Sequence, residues 1–66
     1  MVYIYLAEGF EEVEALTAAD VLRRAGVDAK LVSISESLKV TGAHGICVEA
    51  DLLMNQCNYE NCRMLV

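Results

Sequence analysis

The chain has 66 residues, of which 56% are hydrophobic, and its ten acidic and five basic residues give a net charge of −5. A domain of this length buries only about 60% of its unfolded surface, so we expect another subunit, or another part of a longer domain, to cover some of the apolar residues. The acidic balance argues against nucleic acid and anionic membranes as partners. The sequence shows no apolar run of membrane-spanning length and no basic leader before its first apolar stretch. We expect a cytoplasmic protein.

The first half of the sequence predicts a strand–helix–strand unit. The run "VYIYLA" (Val2–Ala7) is β-branched and aromatic without alternation, which is typical of a strand buried on both faces. We predict a helix from about Glu11 to Ala25, because Gly26 and two preceding arginines form a typical C-terminal stop. A second strand over Val27–Ile34 then completes a parallel pair with a right-handed crossover.

The second half predicts an antiparallel hairpin and the start of a further strand. Short strands over Leu38–Thr41 and Ile46–Glu49 flank a Gly-Ala-His-Gly corner, and residues 52–61 are predicted to form a loop or a short helical turn. Cys62–Val66 is similar to the beginning of one more buried strand. Since chemistry in doubly wound sheets lies beyond the carboxyl ends of the strands, we expect residues 1–66 to be the N-terminal part of a single domain that is truncated, cleaved or incompletely traced.

The three acids of "GFEEVEA" differ in their place on the predicted helix. At 100° per residue, the arc expected to face the sheet contains five apolar residues: Ala15, Ala18, Val21, Leu22 and Ala25. Glu14 falls inside this arc, where a carboxylate needs a partner or a proton. Two interpretations stay open for Glu14: an ordinary first-turn acid, or a buried acid that gives a proton to a neighbour. For Glu11 and Glu12 the first-turn interpretation is favoured.

Val13 and Leu16 lie outside that arc and predict a second covered face on the helix, such as a subunit contact.

The sequence has three cysteines: Cys47, Cys57 and Cys62. Their spacing matches neither a metal site nor a disulfide framework, so we expect reduced thiols. Because none of them lies on a tight strand–turn–helix elbow, none is predicted to be catalytic. Cys57, in a polar loop, is predicted to be the exposed and oxidisable one.

The stretch "YLAEGFEEVEALTAADVLRRAG" resembles the N-terminal strand and helix of the ThiJ/PfpI superfamily, in particular its DJ-1 branch. The shared pattern is Ala-x-Gly-x-Glu-Glu-x-Glu after a strand, then a helix that ends in Arg-Arg-x-Gly. "VDAKLVSI", "VTGAHGICVEAD" and "NCRMLV" are similar to the strands that follow, the last of which leads into a Leu-Pro-Gly-Gly turn. The resemblance implies an α/β fold, a flavodoxin-like (class I glutamine amidotransferase-like) three-layer sandwich that is usually a homodimer, of which this chain supplies the N-terminal strand–helix–strand and hairpin.

The resemblance also implies roles for individual residues. Glu14 matches a catalytic acid that hydrogen-bonds a cysteine thiol on a nucleophile elbow, and that cysteine lies beyond Val66, so the nucleophile is not in this chain. Three more residues match positions that line the family's substrate site: Gly9 in the loop beside it, Glu11 as an acid that contacts basic groups, and Arg24 near the pocket and the dimer contact.

His44 departs from the family, which often has an arginine from the partner subunit at the matching position. A lone histidine in a glycine-rich corner is more often an ordinary surface residue. Because histidine titrates near neutral pH, it can still supply a positive charge to a pocket. We therefore keep His44 as a candidate substrate-binding residue.

The function that the resemblance implies is a cysteine-dependent enzyme acting on 2-oxoaldehydes or glycated groups, a glyoxalase or deglycase that protects against oxidative stress, without cofactor or metal. Its partners would be a small aldehyde substrate, a second copy of the chain and the remainder of the same domain. The alternative is a non-catalytic, redox-responsive chaperone or interaction module. Related members are also described as intracellular peptidases or thiamine-pathway proteins. A nucleotide-binding loop is disfavoured, because "AEGFEE" has one glycine and places acids where phosphate would bind.

Overall fold

The computed structural model describes residues 1–58, 60 and 64–65, the last two by their backbone. The elements follow in the order β1 (Val2–Leu6), α1 (Glu12–Arg24), β2 (Ala29–Ser33), β3 (Lys39–Thr41), β4 (Cys47–Glu49), β5 (Leu52–Leu53), a short 3₁₀ helix (Met54–Gln56) and β6 (Met64–Leu65). Within these residues, no helix is both long and apolar enough to cross a membrane.

A four-stranded sheet in the order β5-β2-β1-β6 forms the centre of the molecule, and all its described pairings are parallel. In the central pair, Val2 is opposite Ala29 and Leu6 is opposite Ser33. The hairpin β3–β4 is a separate antiparallel pair in which Val40 is opposite Val48. The predicted parallel pair and the predicted hairpin are both confirmed.

Helix α1 ends as its sequence predicts. The amide of Gly26 donates to Arg23 O at 3.1 Å and that of Val27 donates to Leu22 O at 2.9 Å, the two bonds of a Schellman motif. Gly26 has φ +81°, a left-handed conformation that glycine adopts without steric cost. The apolar side chains of Leu22 and Val27 both pack against the core, as this motif favours.

The face that α1 turns to the sheet differs from the predicted arc. Ala19 is buried, and Leu16 packs against the core although it was predicted to lie on a second face. Val21, predicted to be buried, is 56% exposed, and the acid that this face buries is Glu12, not Glu14. The observed face is turned by about 90° about the helix axis from the predicted one. The three alanines of α1 lie on one side of the helix, and Val21 and Leu16 flank them in opposite directions, so the apolar pattern allows either orientation. Packing on the sheet decides between them.

The strands after the hairpin are very short. Leu52 and Leu53, predicted to lie in a loop, form β5 by pairing with Val32 and Ser33 of β2. Two residues are too few for strand periodicity to show in a sequence. The predicted final strand is present as β6, which pairs with Val2 and Tyr3, while the remainder of that prediction (62, 63 and 66) lies outside the described residues.

Asp51 ties the start of β5 to the rest of the fold. Its carboxylate accepts hydrogen bonds from the amide of Leu31 and from the guanidinium of Arg23, each at 2.8 Å. Its own amide donates to Leu31 O at 2.8 Å, and Arg23 Nε donates to Ala29 O at 3.1 Å. The carboxyl-terminal part of α1, strand β2 and strand β5 are therefore joined through one side chain.

Replacing Asp51 by alanine is expected to lower the free energy of unfolding by about 1–3 kcal/mol, because the Leu31 amide and the Arg23 guanidinium lose their acceptor. Asp20 is the matched control: its carboxylate pairs with Arg24 at 3.0 Å on an exposed surface. Asp20→Ala should change the free energy by no more than about 0.5 kcal/mol. Urea unfolding of the full-length protein measures both, and equal losses would contradict this role for Asp51.

Candidate functional site

The hairpin packs its tip against the turn that joins β1 to α1. The amide of Gly9 donates to Thr41 O and the amide of Ala43 donates to Phe10 O, both at 2.8 Å. The carboxylate of Glu8 accepts from the amide of Thr41 at 3.4 Å. This turn follows the carboxyl end of β1, which is where doubly wound folds build their sites.

Glu12 is the buried acid at this junction, with only 3% of its surface exposed. One carboxylate oxygen, Oε2, accepts hydrogen bonds from the amide of His44 at 2.7 Å and from the amide of Ile46 at 3.4 Å. The other, Oε1, lies 2.8 Å from Nδ1 of the His44 ring. The first residue of α1 therefore reaches across to the hairpin and satisfies its amides, instead of capping its own helix.

Gly42 lets the carboxylate of Glu12 approach the hairpin. A Cβ atom added to Gly42 would overlap the Cγ, Cδ and Oε2 atoms of Glu12. Gly42 is itself buried, and its amide donates to Ile46 O at 2.9 Å. Any larger residue at position 42 would push the carboxylate away from the amides it binds.

The hydrogen bonds at this junction shift the titration of both partners. Burial acts to raise the pKa of Glu12, but the bonds from the His44 ring, from its own amide and from the amides of His44 and Ile46 lower it to about 2 from an ordinary 4.5. The bond to Glu12, with the negative charges of Glu12 and Glu11, raises the pKa of His44 above its ordinary 6.5, against a smaller opposing effect of burial. The pair is therefore charged on both sides in mildly acidic solution.

The ionised state of Glu12 fixes the tautomer of His44. An ionised carboxylate only accepts hydrogen bonds, so Nδ1 carries a proton and donates it. Nε2 has no hydrogen-bond partner among the described residues, and 66% of the side chain is exposed. His44 thus has one nitrogen held by the protein and the other directed away from that bond.

Glu11, Glu12 and His44 are the one group of potential metal ligands among the described residues, with ligand atoms within 4.8 Å of one another. Both oxygens of Glu12 already accept hydrogen bonds, and Nδ1 of His44 is one of the donors. The negative charge of the buried carboxylate is thus compensated by N–H groups of the chain. We assign the group as a hydrogen-bonded junction, not as a metal centre.

The structure brings three of the predicted site residues, His44, Gly9 and Glu11, to this junction and places Arg24 elsewhere. Gly9, with φ +83°, and Glu11, exposed at the start of α1 and without a side-chain capping bond, lie beside the hairpin. Arg24 lies in the last turn of α1, about 18 Å along the helix from Glu12, where it pairs with Asp20. Its predicted role near a pocket or dimer contact stays a prediction.

Glu14 is exposed, which corrects the expectation that it faces the core of this chain. It lies in the first turn of α1 and has no hydrogen-bond or ion-pair partner in the part of the chain that the structure describes. The neighbouring Val13 is 73% exposed. The carboxylate of Glu14 is therefore accessible to a group outside the described chain.

The two described cysteines are both free thiols. Cys47, on β4, is exposed, whereas Cys57 is half-buried and its thiol lies 3.7 Å from Leu53 O, so the prediction that Cys57 is the exposed thiol is wrong. Cys62 lies outside the described residues.

A cavity of about 280 Å³ beside the 3₁₀ helix is lined by Ser35, Glu36, Leu53, Met54 and Asn55. Glu36 is its one ionisable residue, so it lacks the paired groups that a reaction site needs.

The family model described as "DJ-1/PfpI family" matches residues 1–66. The chain belongs to the DJ-1/PfpI family. The protein DJ-1 homolog B of Arabidopsis thaliana is 41% identical over 54 residues, which are 82% of this chain and 12% of that protein. The chain therefore spans a small part of the curated relatives it matches.

Two solved structures extend the likeness to three dimensions. The oxidized DJ-1 of Toxoplasma gondii superposes with a TM-score of 0.92 at 32% identity, over 98% of this chain and 35% of that one. A DJ-1 superfamily protein from Salmonella typhimurium, solved as a cysteine-to-alanine mutant, superposes with a TM-score of 0.81 at 38% identity, over 83% and 30%. The strand–helix–strand and hairpin thus form the N-terminal part of the flavodoxin-like fold of the DJ-1/PfpI family.

Sequence reasoning missed Glu12, the most strongly held acid of the junction. Its signal was present on the helix: an arc centred on Ala19 contains Ala15, Leu16 and Leu22 and also Glu12. The predicted arc used Val21 and Ala25 instead. The partners of Glu12 lie 32 and 34 residues away in the sequence, beyond the reach of any local pattern.

Gly42→Ala is expected to lower the free energy of unfolding by about 1–3 kcal/mol, because the new Cβ overlaps the Glu12 carboxylate. At a position with open space and an ordinary backbone conformation, the same change would stabilise a protein by about 0.4–1 kcal/mol. The sign of the change in a denaturant titration therefore tests the close approach directly. Ala43→Ser, at the exposed neighbouring position, is the control and should change stability by less than about 0.5 kcal/mol.

The stability that His44 contributes should depend on pH in a defined window. A raised histidine pKa stabilises the fold below 6.5, and this contribution is lost as the pH rises through the higher pKa in the folded state. The depressed pKa of Glu12 stabilises the fold above 4.5, and this contribution is lost as the pH falls towards about 2. The difference in melting temperature between the parent protein and His44→Gln should thus be largest between pH 4.5 and 6.5. A difference that does not vary with pH would contradict the ion pair.

Proposed function

We propose that the full-length protein is a cysteine-dependent enzyme of the DJ-1/PfpI type that acts on 2-oxoaldehydes or glycated groups. In this proposal Glu14 is the acid partner of a nucleophilic cysteine beyond Val66. The observation that carries it is an exposed carboxylate without a partner in the described chain, placed in the first turn of the helix that follows β1. Family membership over residues 1–66 supports the assignment.

The solved relatives support a reactive cysteine as the second half of the pair. One relative is described as oxidized and another as a cysteine-to-alanine mutant. A cysteine thiolate is the nucleophilic form and the form that oxidises. An acid beside it can hold and return a proton as the thiolate adds to an aldehyde.

The chemistry that we propose converts an aldehyde in two stages. The thiolate adds to the aldehyde carbon, a C–S bond forms, and the carbonyl electron pair moves to oxygen, which takes a proton to give a hemithioacetal. A proton then moves from the hemithioacetal carbon to the adjacent carbonyl carbon, and the hydroxyl proton moves to the adjacent oxygen, which gives a 2-hydroxy thioester. Water adds to the thioester carbonyl, the C–S bond breaks, and the 2-hydroxy acid and the free thiol are released. Within this sequence Glu14 supplies a carboxyl group that moves protons next to sulfur and carbon.

Exposed apolar side chains favour a second candidate function, a redox-responsive chaperone or interaction module. Val13, Val21 and Ile46 are 73%, 56% and 51% exposed. We propose that a second copy of the chain covers these side chains, in a homodimer. A module of this kind would suppress aggregation of a client protein without consuming an aldehyde.

Turnover of methylglyoxal by the full-length protein separates the two candidates. Glu14→Gln keeps the size of the side chain but removes its acidic proton, and should lower kcat by at least about 100-fold. Glu36→Gln removes one exposed acid from the loop after β2 and should leave kcat unchanged. D-lactate and L-lactate assays on both variants measure the product. A parent protein that forms no lactate would refute the enzyme and leave the interaction module, whereas a Glu14→Gln variant as fast as an active parent would refute the role of Glu14.

A further inference from the structure

The pair formed by Glu12 and His44 has the arrangement of a carboxylate–histidine dyad. A buried carboxylate accepts a hydrogen bond from one ring nitrogen at 2.8 Å, and the other nitrogen has no partner among the described residues. In dyads of this kind the carboxylate holds the ring in one tautomer and stabilises its protonated form, while the outer nitrogen exchanges the proton. The backbone of His44 is fixed as well, because its amide donates to the same carboxylate.

The dyad lies where a substrate of this fold would bind. The hairpin tip that carries His44 is hydrogen-bonded to Gly9 and Phe10, in the turn after the carboxyl end of β1. The charged groups that act on the ring are Glu12, at the start of α1, and Glu11 before it, while the carboxylate of Glu8 accepts from the amide of Thr41 on the same hairpin. On the hairpin, residues 42–46 carry no other ionisable group. With two acids beside one histidine, the site favours a neutral ligand over an anion.

We propose that His44 is a catalytic proton donor of this site and that Glu12 is its positioning residue. In this proposal Nε2 donates its proton to the carbonyl oxygen of a small, neutral aldehyde. This inference rests on the proposed function and adds a second acid–base group to it. In the addition step, the cysteine thiolate forms a C–S bond with the aldehyde carbon, and the carbonyl electron pair moves to oxygen. That oxygen takes the proton of Nε2, which leaves His44 neutral, with the remaining proton on Nδ1 and donated to Glu12. The reverse transfer returns the proton to Nε2 when the addition reverses.

The tautomer and charge of His44 are tested without any activity. Long-range ¹H–¹⁵N spectra of the labelled full-length protein distinguish a neutral ring protonated on Nδ1 from one protonated on Nε2. We expect the Nδ1 form, a histidine pKa above 6.5 in the parent protein, and a lower pKa in Glu12→Gln. Glu49→Gln, which removes an exposed acid from β4, is the matched control and should leave the His44 titration unchanged. A neutral ring protonated on Nε2 would overturn the dyad.

The catalytic use of the dyad is tested by the pH profile of methylglyoxal turnover. Because the proton donor must be charged, kcat of the parent protein should decline as the pH rises through the His44 pKa. His44→Gln should lower kcat at least about 100-fold and remove that decline. His44→Arg keeps the positive charge but holds its proton, so it should be as slow as His44→Gln. Lys39→Gln removes an exposed positive charge from the same hairpin and should leave the profile unchanged.

The outcomes separate this inference from the proposed function. Full activity in His44→Gln would overturn the catalytic role of His44 and leave the proposed function intact. Full activity in His44→Arg would show that a fixed positive charge suffices, which also overturns proton donation. A parent protein without turnover would overturn both the proposed function and the catalytic role, while the spectra still decide whether Glu12 orients the ring.

Discussion

The carboxylate of Glu12 is the group on which the geometry of this region depends. A carboxylate removed from water without partners costs several kcal/mol, so a fold that buries one must bring donors to it. Here the donors are the ring of His44 and the amides of His44 and Ile46, all on the hairpin. The hairpin belongs to a separate sheet from the β1–β2 pair, and Val40 and Val48 pack it against the core. The buried charge holds the hairpin tip against the start of α1.

The general architecture is readable from sequence because it depends on local patterns. A continuous apolar run gives β1, the Arg-Arg-Ala-Gly sequence gives the end of α1, and a glycine-rich corner gives the hairpin. The structure places each of these within two residues of its predicted bounds. Strand β5 lacks such a pattern, since its two residues become a strand only by pairing with Val32 and Ser33. The packing face of α1 also lacks one, because its apolar residues cover more than half of the circumference, from Val21 through the alanines to Leu16, and either part can face a sheet.

Family resemblance supplied candidate site residues, whereas the contacts that distant parts of the chain create had no signal in the sequence. Resemblance directed attention to Glu14, whose proposed partner lies outside this chain, and helical geometry alone misplaced that side chain in the core. Glu12 was treated as an ordinary first-turn acid, because nothing near it in sequence indicates a partner. Its partner amides, over 30 residues away, meet it only because Gly42 lacks a side chain. A buried charge that a distant glycine admits is a tertiary property.

The acids beside His44 favour a positive charge on a side chain that can still release a proton, whereas a permanent cation at this position would supply only its charge. An isolated imidazole is mostly neutral above its ordinary pKa of 6.5, and a guanidinium stays charged at every physiological pH. Glu12 and Glu11 raise the histidine pKa, so the ring retains its charge further into the neutral range. Burial of the imidazole opposes that shift only in part, because 66% of the side chain is in contact with solvent. The carboxylate on one ring nitrogen thus favours the cation, and the open approach to the other nitrogen lets the ring release its proton.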